Sequence, residues 1–161
     1  MLAALALVGA PAWATEIGES RNFGLGLQFG EPNLLTGKMY FGSDRVSAVD
    51  GALGLYLDAP IEDAFYAQAA YHLHILELSQ GDAVAIPFRV GLGAFLTTGF
   101  WRWSDEGEGH DVIVGLRAPI GLDFDFRAVP IQLYIEAALD MTLLPPLEFG
   151  GDGGIGVRYY F

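Results

Sequence analysis

The sequence contains no cysteine, few basic residues and no long apolar run beyond its start. Without cysteine, disulfide bonds cannot stabilise the fold of this 161-residue chain. Eight Lys and Arg against 20 Asp and Glu give a net charge of -12, which argues against a nucleic-acid partner because phosphates repel acidic proteins. No later stretch reaches the roughly 20 apolar residues of a transmembrane helix. Hydrophobic residues still make up 52%, and 22 Gly with 13% aromatics favour one β domain.

The first fourteen residues have the pattern of a secretory signal peptide. An apolar core at 2–9 is followed by an Ala-x-Ala pattern that ends at Ala14. The pattern predicts a signal peptide at 1–14, cleavage after Ala14 and a mature domain at 15–161. No Lys or Arg precedes the apolar core, so we expect the signal peptide to start upstream of Met1.

From residue 22 onward, apolar residues recur at every second position, which predicts strands rather than helices. Eight such segments are separated by short turn-rich stretches. They lie at 22–30, 35–42, 47–58, 64–78, 84–99, 111–127, 130–143 and 153–161. A closed barrel with both chain ends on one side requires an even number of antiparallel strands. We therefore predict an all-β, eight-stranded, antiparallel up-and-down barrel.

The two faces of these segments differ in composition. One face is almost wholly apolar, as in Phe23, Leu25, Leu27 and Phe29 of the first segment. The other face holds mainly Gly, Ala, a few Tyr and isolated charges, whereas a solvent-facing surface would be rich in Lys, Glu, Ser and Thr. This contrast indicates a crowded lumen and a lipid-facing exterior, as in a transmembrane β-barrel. The alternative is a soluble, lipocalin-like barrel with its apolar face inside.

Charged residues on the lumen face form the first candidate site. Four are positive and four are negative: Lys38, Arg89, Arg117 and Arg158, and Asp50, Asp123, Glu136 and Asp140. Because unpaired ions inside a narrow barrel are costly, we expect a salt-bridge network. Arg117 and Glu136, near the middles of adjacent predicted strands, are the best single pair. Asp125 and Arg127 would add one charge of each sign. Such a network either plugs the lumen or lines a gated path for small ions.

His72 and His74 share one face of the fourth segment and form the second candidate. Their spacing could offer two imidazoles to one metal, but no third ligand stands nearby in the sequence. We expect lumen hydrogen bonding, and we predict no metal and no cofactor. No Gly-x-Ser-x-Gly motif occurs and no Ser lies beside a His on one strand, which argues against an enzyme. A lipid-modifying activity that uses either histidine is a minor alternative.

The longest stretch between segments, 101–111, combines tryptophans with acidic residues. Trp101 and Trp103 are typical of an aromatic belt at a membrane interface, and so are Tyr159 and Phe161 near the end of the chain. The acidic residues are interpreted as a solvated loop, with a cation or a basic partner as the alternative. Their spacing does not fit an EF-hand.

The last segment ends in Phe161 and has Ile155, Val157 and Tyr159 at every second position before it. It resembles the terminal strand of bacterial outer-membrane barrels, in which these residues look like the signal read by the barrel-assembly machinery. The mature chain as a whole is similar in architecture to small eight-stranded barrels of the OmpA-membrane-domain and OmpX kind, including an uncharacterised subgroup.

This resemblance implies a fold and a location but no defined activity. It implies the outer membrane of a Gram-negative bacterium with both termini periplasmic, contact with membrane lipid and lipopolysaccharide, and a monomer. The leading hypothesis is therefore an integral outer-membrane barrel with a plugged lumen, no catalysis and a structural or surface-interaction role. The alternative is a narrow, porin-like pore or a carrier of small ligands.

Overall fold

The structure is a computed structural model that describes residues 17–42, 45–55, 65–98, 112–143 and 147–161. Eight antiparallel strands close into a barrel in chain order, and β8 pairs with β1. They are β1 (Phe23–Glu31), β2 (Asn33–Phe41), β3 (Ser47–Leu55), β4 (Phe65–Gln80), β5 (Val84–Thr98), β6 (Val112–Phe126), β7 (Ile131–Thr142) and β8 (Phe149–Tyr160). In the ranges described, no helix is long and apolar enough to cross a membrane. The predicted fold class is confirmed.

The predicted segments match the strands closely except at the start of the last one. β8 begins at Phe149 rather than at residue 153. The intervening residues include Gly150 and Gly151, which offer no side-chain alternation from which a strand could be detected. β4 also runs further than predicted, to Gln80, with two register shifts against β5. Such bulges interrupt the simple period of two and hide a strand end from sequence analysis.

Apart from the bulged end of β4, side chains alternate between the outside of the barrel and its lumen. Leu139 on β7 is 73% exposed on the outer face, and Leu92 on β5 is also exposed there. On the same two strands, Glu136 and Arg89 point inward and are buried. The arrangement is the inverse of a soluble barrel, because apolar side chains face out while charged ones are enclosed. A lipocalin-like barrel would have the opposite polarity.

The two mouths of the barrel differ in the length of their connections. The described chain enters at residue 17 and ends at 161 at one mouth, which we call the terminal mouth. The connections 42–46, 81–83 and 127–130 lie at this mouth. The opposite mouth carries the three longest links, among them the one between β5 and β6, together with the one-residue link at Pro32 between β1 and β2. In outer-membrane barrels the short turns are periplasmic and the long loops extracellular.

Gly93 on β5 lies where a neighbouring strand leaves no room for a side chain. A Cβ at this position would lie 2.6 Å from both Cα and Cβ of Ala70 on β4. Because backbone cannot rotate away as a flexible side chain can, we expect Gly93→Ala to lower the free energy of unfolding by about 1–3 kcal/mol. Gly150→Ala is the matched control, since nothing lies within 4 Å of its Cβ position. Urea unfolding in the same detergent measures the stability of the two variants. Equal unfolding midpoints for Gly93→Ala and Gly150→Ala would contradict the steric argument.

Candidate functional site: the charged lumen

The candidate site is the set of charged side chains inside the barrel. Alternation on six of the strands directs all eight predicted charges inward. They are Lys38, Asp50, Arg89, Arg117, Asp123, Glu136, Asp140 and Arg158. All are buried except Asp140, whose side chain is 16% exposed. The barrel therefore places charges from distant parts of the chain in one enclosed space.

Arg89 is the centre of this cluster and contacts carboxylates from three other strands. Its Nε donates to Asp123 Oδ1 at 2.9 Å. Its Nη2 lies 2.7 Å from Glu136 Oε2, and its Nη1 lies 3.9 Å from Asp50 Oδ2. One fully buried guanidinium thus supplies positive charge to β3, β6 and β7 at once, which is the compensation that buried carboxylates require.

Lys38 and Arg158 add a second cation to two of these carboxylates. Lys38 Nζ donates to Asp123 Oδ2 at 2.6 Å. Arg158 Nη2 donates to Asp50 Oδ2 at 3.3 Å, and its guanidinium carbon lies 4.0 Å from the centre of the Tyr134 ring. The cluster is therefore one connected network with an aromatic ring between charged layers, rather than a set of separate pairs.

Arg117 anchors the network toward the opposite mouth. Its Nη2 donates to Glu136 Oε1 at 2.8 Å, and its Nη1 donates to both Asp140 oxygens at 3.4 Å. Asp152 on β8 contacts both terminal nitrogens of Arg117, with 2.7 Å between Nη2 and Oδ1. The sequence analysis did not identify Asp152 because the last strand was predicted to start at residue 153. Asp152 is an even number of positions from the inward-facing Arg158, so a longer predicted strand would have placed it in the lumen.

The expectation that Asp125 and Arg127 both add charges to the lumen is correct for Asp125 and wrong for Arg127. β6 ends at Phe126, so Arg127 lies in the following turn, where its Nε donates to the Gly81 carbonyl at 3.0 Å. Asp125 does point inward, but its partner is Arg45 of the β2–β3 connection. Gln132 also donates to Asp125 at 2.7 Å. Alternation could not have identified Arg45, because this residue lies outside any strand.

Both candidate histidines face the lumen and contact the network. His72 Nε2 lies 2.9 Å from Asp50 Oδ2. His74 Nε2 lies 3.0 Å from Lys38 Nζ and 3.2 Å from Asp123 Oδ2. The two rings thus contact different carboxylates, Asp50 and Asp123, rather than a shared one. They extend the hydrogen-bonded network toward the terminal mouth.

One group of side chains has the composition of a metal site. Asp50, His72 and Glu136 offer ligand atoms that all lie within 4.8 Å of one another. The Arg89 guanidinium lies among the same oxygens, 2.7 Å from the nearest Glu136 oxygen. A divalent cation would have to displace this arginine, so the geometry favours the protein's own cation at this position.

The predicted assembly residues lie on the outer face of β8 and just after it. Ile155, Val157, Tyr159 and Phe161 are all exposed there. The Phe161 ring contacts that of Tyr159 edge-on at 5.0 Å and stacks on that of Phe23 at 6.4 Å. These contacts form an aromatic patch at the terminal mouth.

The predictions for Trp101, Trp103 and the acidic stretch 101–111 lie outside the residues that the structure describes. They therefore stay predictions. The same holds for the signal peptide at 1–14 and for the part of the third segment beyond residue 55.

Comparison with known proteins supports the fold. No family model and no curated protein matches the sequence. Among solved structures, the N-terminal β-barrel domain of Pseudomonas aeruginosa OprF is similar, with a TM-score of 0.52 and 18% identity over 87% of this chain and 96% of that one. Ail, the attachment invasion locus protein of Yersinia pestis, aligns with a TM-score of 0.39 and 14% identity over 87% and 94%. The OprF match shows that this chain has the fold of a small eight-stranded outer-membrane β-barrel.

Proposed function

We propose that this protein is an integral protein of a Gram-negative outer membrane, with a lumen closed by its own side chains. Its role is structural or one of surface interaction, without catalysis or transport. The observation that carries the proposal is the inverted polarity of the barrel. Apolar side chains cover the outside, and a connected ion network fills the inside.

The outer face supports the location in a membrane. Exposed aliphatic and aromatic side chains occur on the outer face of all eight strands, including Leu27, Leu35, Leu53, Leu92 and Ile155. In water such a continuous apolar surface would drive aggregation, whereas in lipid it is the expected contact surface. The short connections at the terminal mouth favour a periplasmic position for both chain ends.

The lumen supports a closed barrel rather than a pore. The interior of an eight-stranded barrel is just wide enough for side chains to fill. Here the guanidinium carbons of Arg89 and Arg158 lie 5.6 Å and 4.0 Å from the centre of the Tyr134 ring. A conducting path would require breaking these contacts and the salt bridges around them.

The position of the histidines supports a non-catalytic role. A lipid-modifying enzyme must present its catalytic groups to lipid or to a cleft that lipid can enter. His72 and His74 point into the lumen, away from the lipid-facing side of the wall, and are engaged by Asp50 and Asp123. We further propose that the protein is a monomer. Its proposed partners are outer-membrane lipid, lipopolysaccharide and, during biogenesis, the barrel-assembly machinery.

Location and closure can be tested on the same purified protein. We expect it to fractionate with the outer membrane and to change its gel mobility only after boiling in SDS, because a closed barrel resists cold detergent. In planar bilayers we expect only baseline current. Recovery in the aqueous fraction would contradict the membrane location.

The same recordings decide between a closed barrel and the narrow-pore alternative. Discrete current steps that change in Glu136→Gln but not in Glu77→Gln would overturn the closed lumen. Glu77 is the matched control because it is exposed at the end of β4 rather than buried in the network.

A further inference from the structure

The residues just before β1 turn into the terminal mouth instead of leading away from it. Ile17 is only 1% exposed and packs in one cluster with Tyr40, Ala48 and Tyr160. The Gly18 amide donates to the Arg21 carbonyl at 2.9 Å, which closes a tight loop over 17–21. An apolar side chain is thus held inside the mouth of a barrel whose interior is mainly polar.

Ile17 lies against the first polar layer of the lumen. Tyr160 and Tyr40, which both pack with Ile17, are linked through Gln132 by hydrogen bonds of 3.1 Å and 3.3 Å. Gln132 in turn donates to Asp125. Arg158 Nη1 donates to the same Gln132 at 3.4 Å and contacts Asp50 of the network around Arg89, so Ile17 lies over one end of that network.

A cavity of about 410 Å³ opens at the same mouth beside this loop. Glu19, Tyr40, Arg45, His74 and Arg127 are among its lining residues. Tyr40 belongs to the Ile17 cluster, and His74 contacts Lys38 inside the lumen. The cavity therefore borders the buried network at His74, which also lies 3.2 Å from Asp123.

The loop is attached by contacts that can break without opening the barrel. It forms an isolated bridge between Ile17 and Arg21, and Arg21 Nη1 donates to the Tyr160 carbonyl at 3.0 Å. The strand ladder begins only after it, and Asn22 is held by a hydrogen bond from the Tyr40 amide. Gly18 has a φ of +83°, a left-handed turn that suits glycine and directs Ile17 inward.

We propose that residues 17–21 are a stopper that controls the access of water and small ions to the lumen from the terminal mouth. When it is seated, Ile17 covers the Tyr40–Tyr160 layer; when it is released, this layer opens to the terminal mouth. With the predicted cleavage after Ala14, the stopper would begin two residues after the amino end of the mature chain. The proposal goes beyond the closed lumen proposed above, because it names the contact that keeps one end shut.

The absence of native cysteine allows a direct test by thiol labelling. The reporter is Ala48→Cys, at a fully buried position in the same cluster as Ile17, and a charged maleimide is the probe. The labelling rate is measured on refolded protein in detergent. The reporter is combined with the native Ile17, with Ile17→Gly or with Ile17→Leu. We expect Ile17→Gly to raise the labelling rate by roughly tenfold or more, because a lost buried aliphatic contact shifts a local opening equilibrium. Ile17→Leu keeps the seal and should label as slowly as the parent.

Two further reporters keep the test decisive. Ala85→Cys, near the same mouth on β5 and 1% exposed, replaces Ala48→Cys if the latter does not shift in mobility on boiling. Ala138→Cys, buried on β7 farther from the stopper, should label at an unchanged rate. If the reporter near the mouth labels at the same rate with Ile17 and with Ile17→Gly, the stopper is overturned. A higher labelling rate at all positions, including Ala138→Cys, would also overturn it. Failure to reach the outer membrane would contradict only the proposed function, since the labelling uses purified barrel.

Discussion

We expect Arg89→Met to lower the free energy of unfolding by about 3–5 kcal/mol, the usual cost of removing one partner from a buried ion cluster. Met preserves much of the volume but leaves Asp123 and Glu136 without their shared cation. Each still has one other positive partner, Lys38 and Arg117 respectively, so the barrel should fold but unfold at lower urea. Urea titration in detergent, followed by the mobility of unboiled samples, measures this loss.

Two variants separate the network from a general effect of losing an arginine. Arg127→Met removes a guanidinium from the exposed β6–β7 turn, and we expect a change within about 0.5 kcal/mol. Adding Glu136→Gln to Arg89→Met should recover part of the loss, because one uncompensated carboxylate is removed. If Arg89→Met and Arg127→Met unfold alike, the central network does not hold the barrel together.

The second large effect should appear on the outer face. Ile135 on β7 is 51% exposed, and its strand partners Leu122 and Ile155 are apolar. In a lipid bilayer we expect Ile135→Arg to cost about 2–4 kcal/mol, because the charge would lie near the middle of the hydrocarbon. Urea unfolding in lipid vesicles, compared with the parent protein, measures this loss of unfolding free energy.

Val129→Arg provides the matched control for this substitution. Val129 is 42% exposed in the β6–β7 turn, at the edge of the barrel rather than its middle. We expect it to cost about 0–1 kcal/mol, as charges do near a membrane interface. Equal costs at the two positions would mean that the apolar belt does not lie in hydrocarbon.

Much of the architecture could be predicted because one physical rule governs each strand. A strand exposes alternate residues to opposite surroundings, so the outward position of Leu25 and the inward position of Arg117 are both readable from neighbouring residues. The rule fails where side chains are absent or the strand ends. Asp152 follows a glycine pair in β8, and Arg45 lies in a connection, so neither was identified.

The sequence by itself determined the number of strands and most of the side chains that enter the lumen, since both follow from a local period of two. Only the tertiary structure decided which charges meet there. Arg89 contacts Asp123 and Glu136 across the barrel, and Ile17 reaches Tyr160 at the far end of the chain. These contacts depend on strand register and barrel closure, which are set by hydrogen bonding among all eight strands and not by any local pattern.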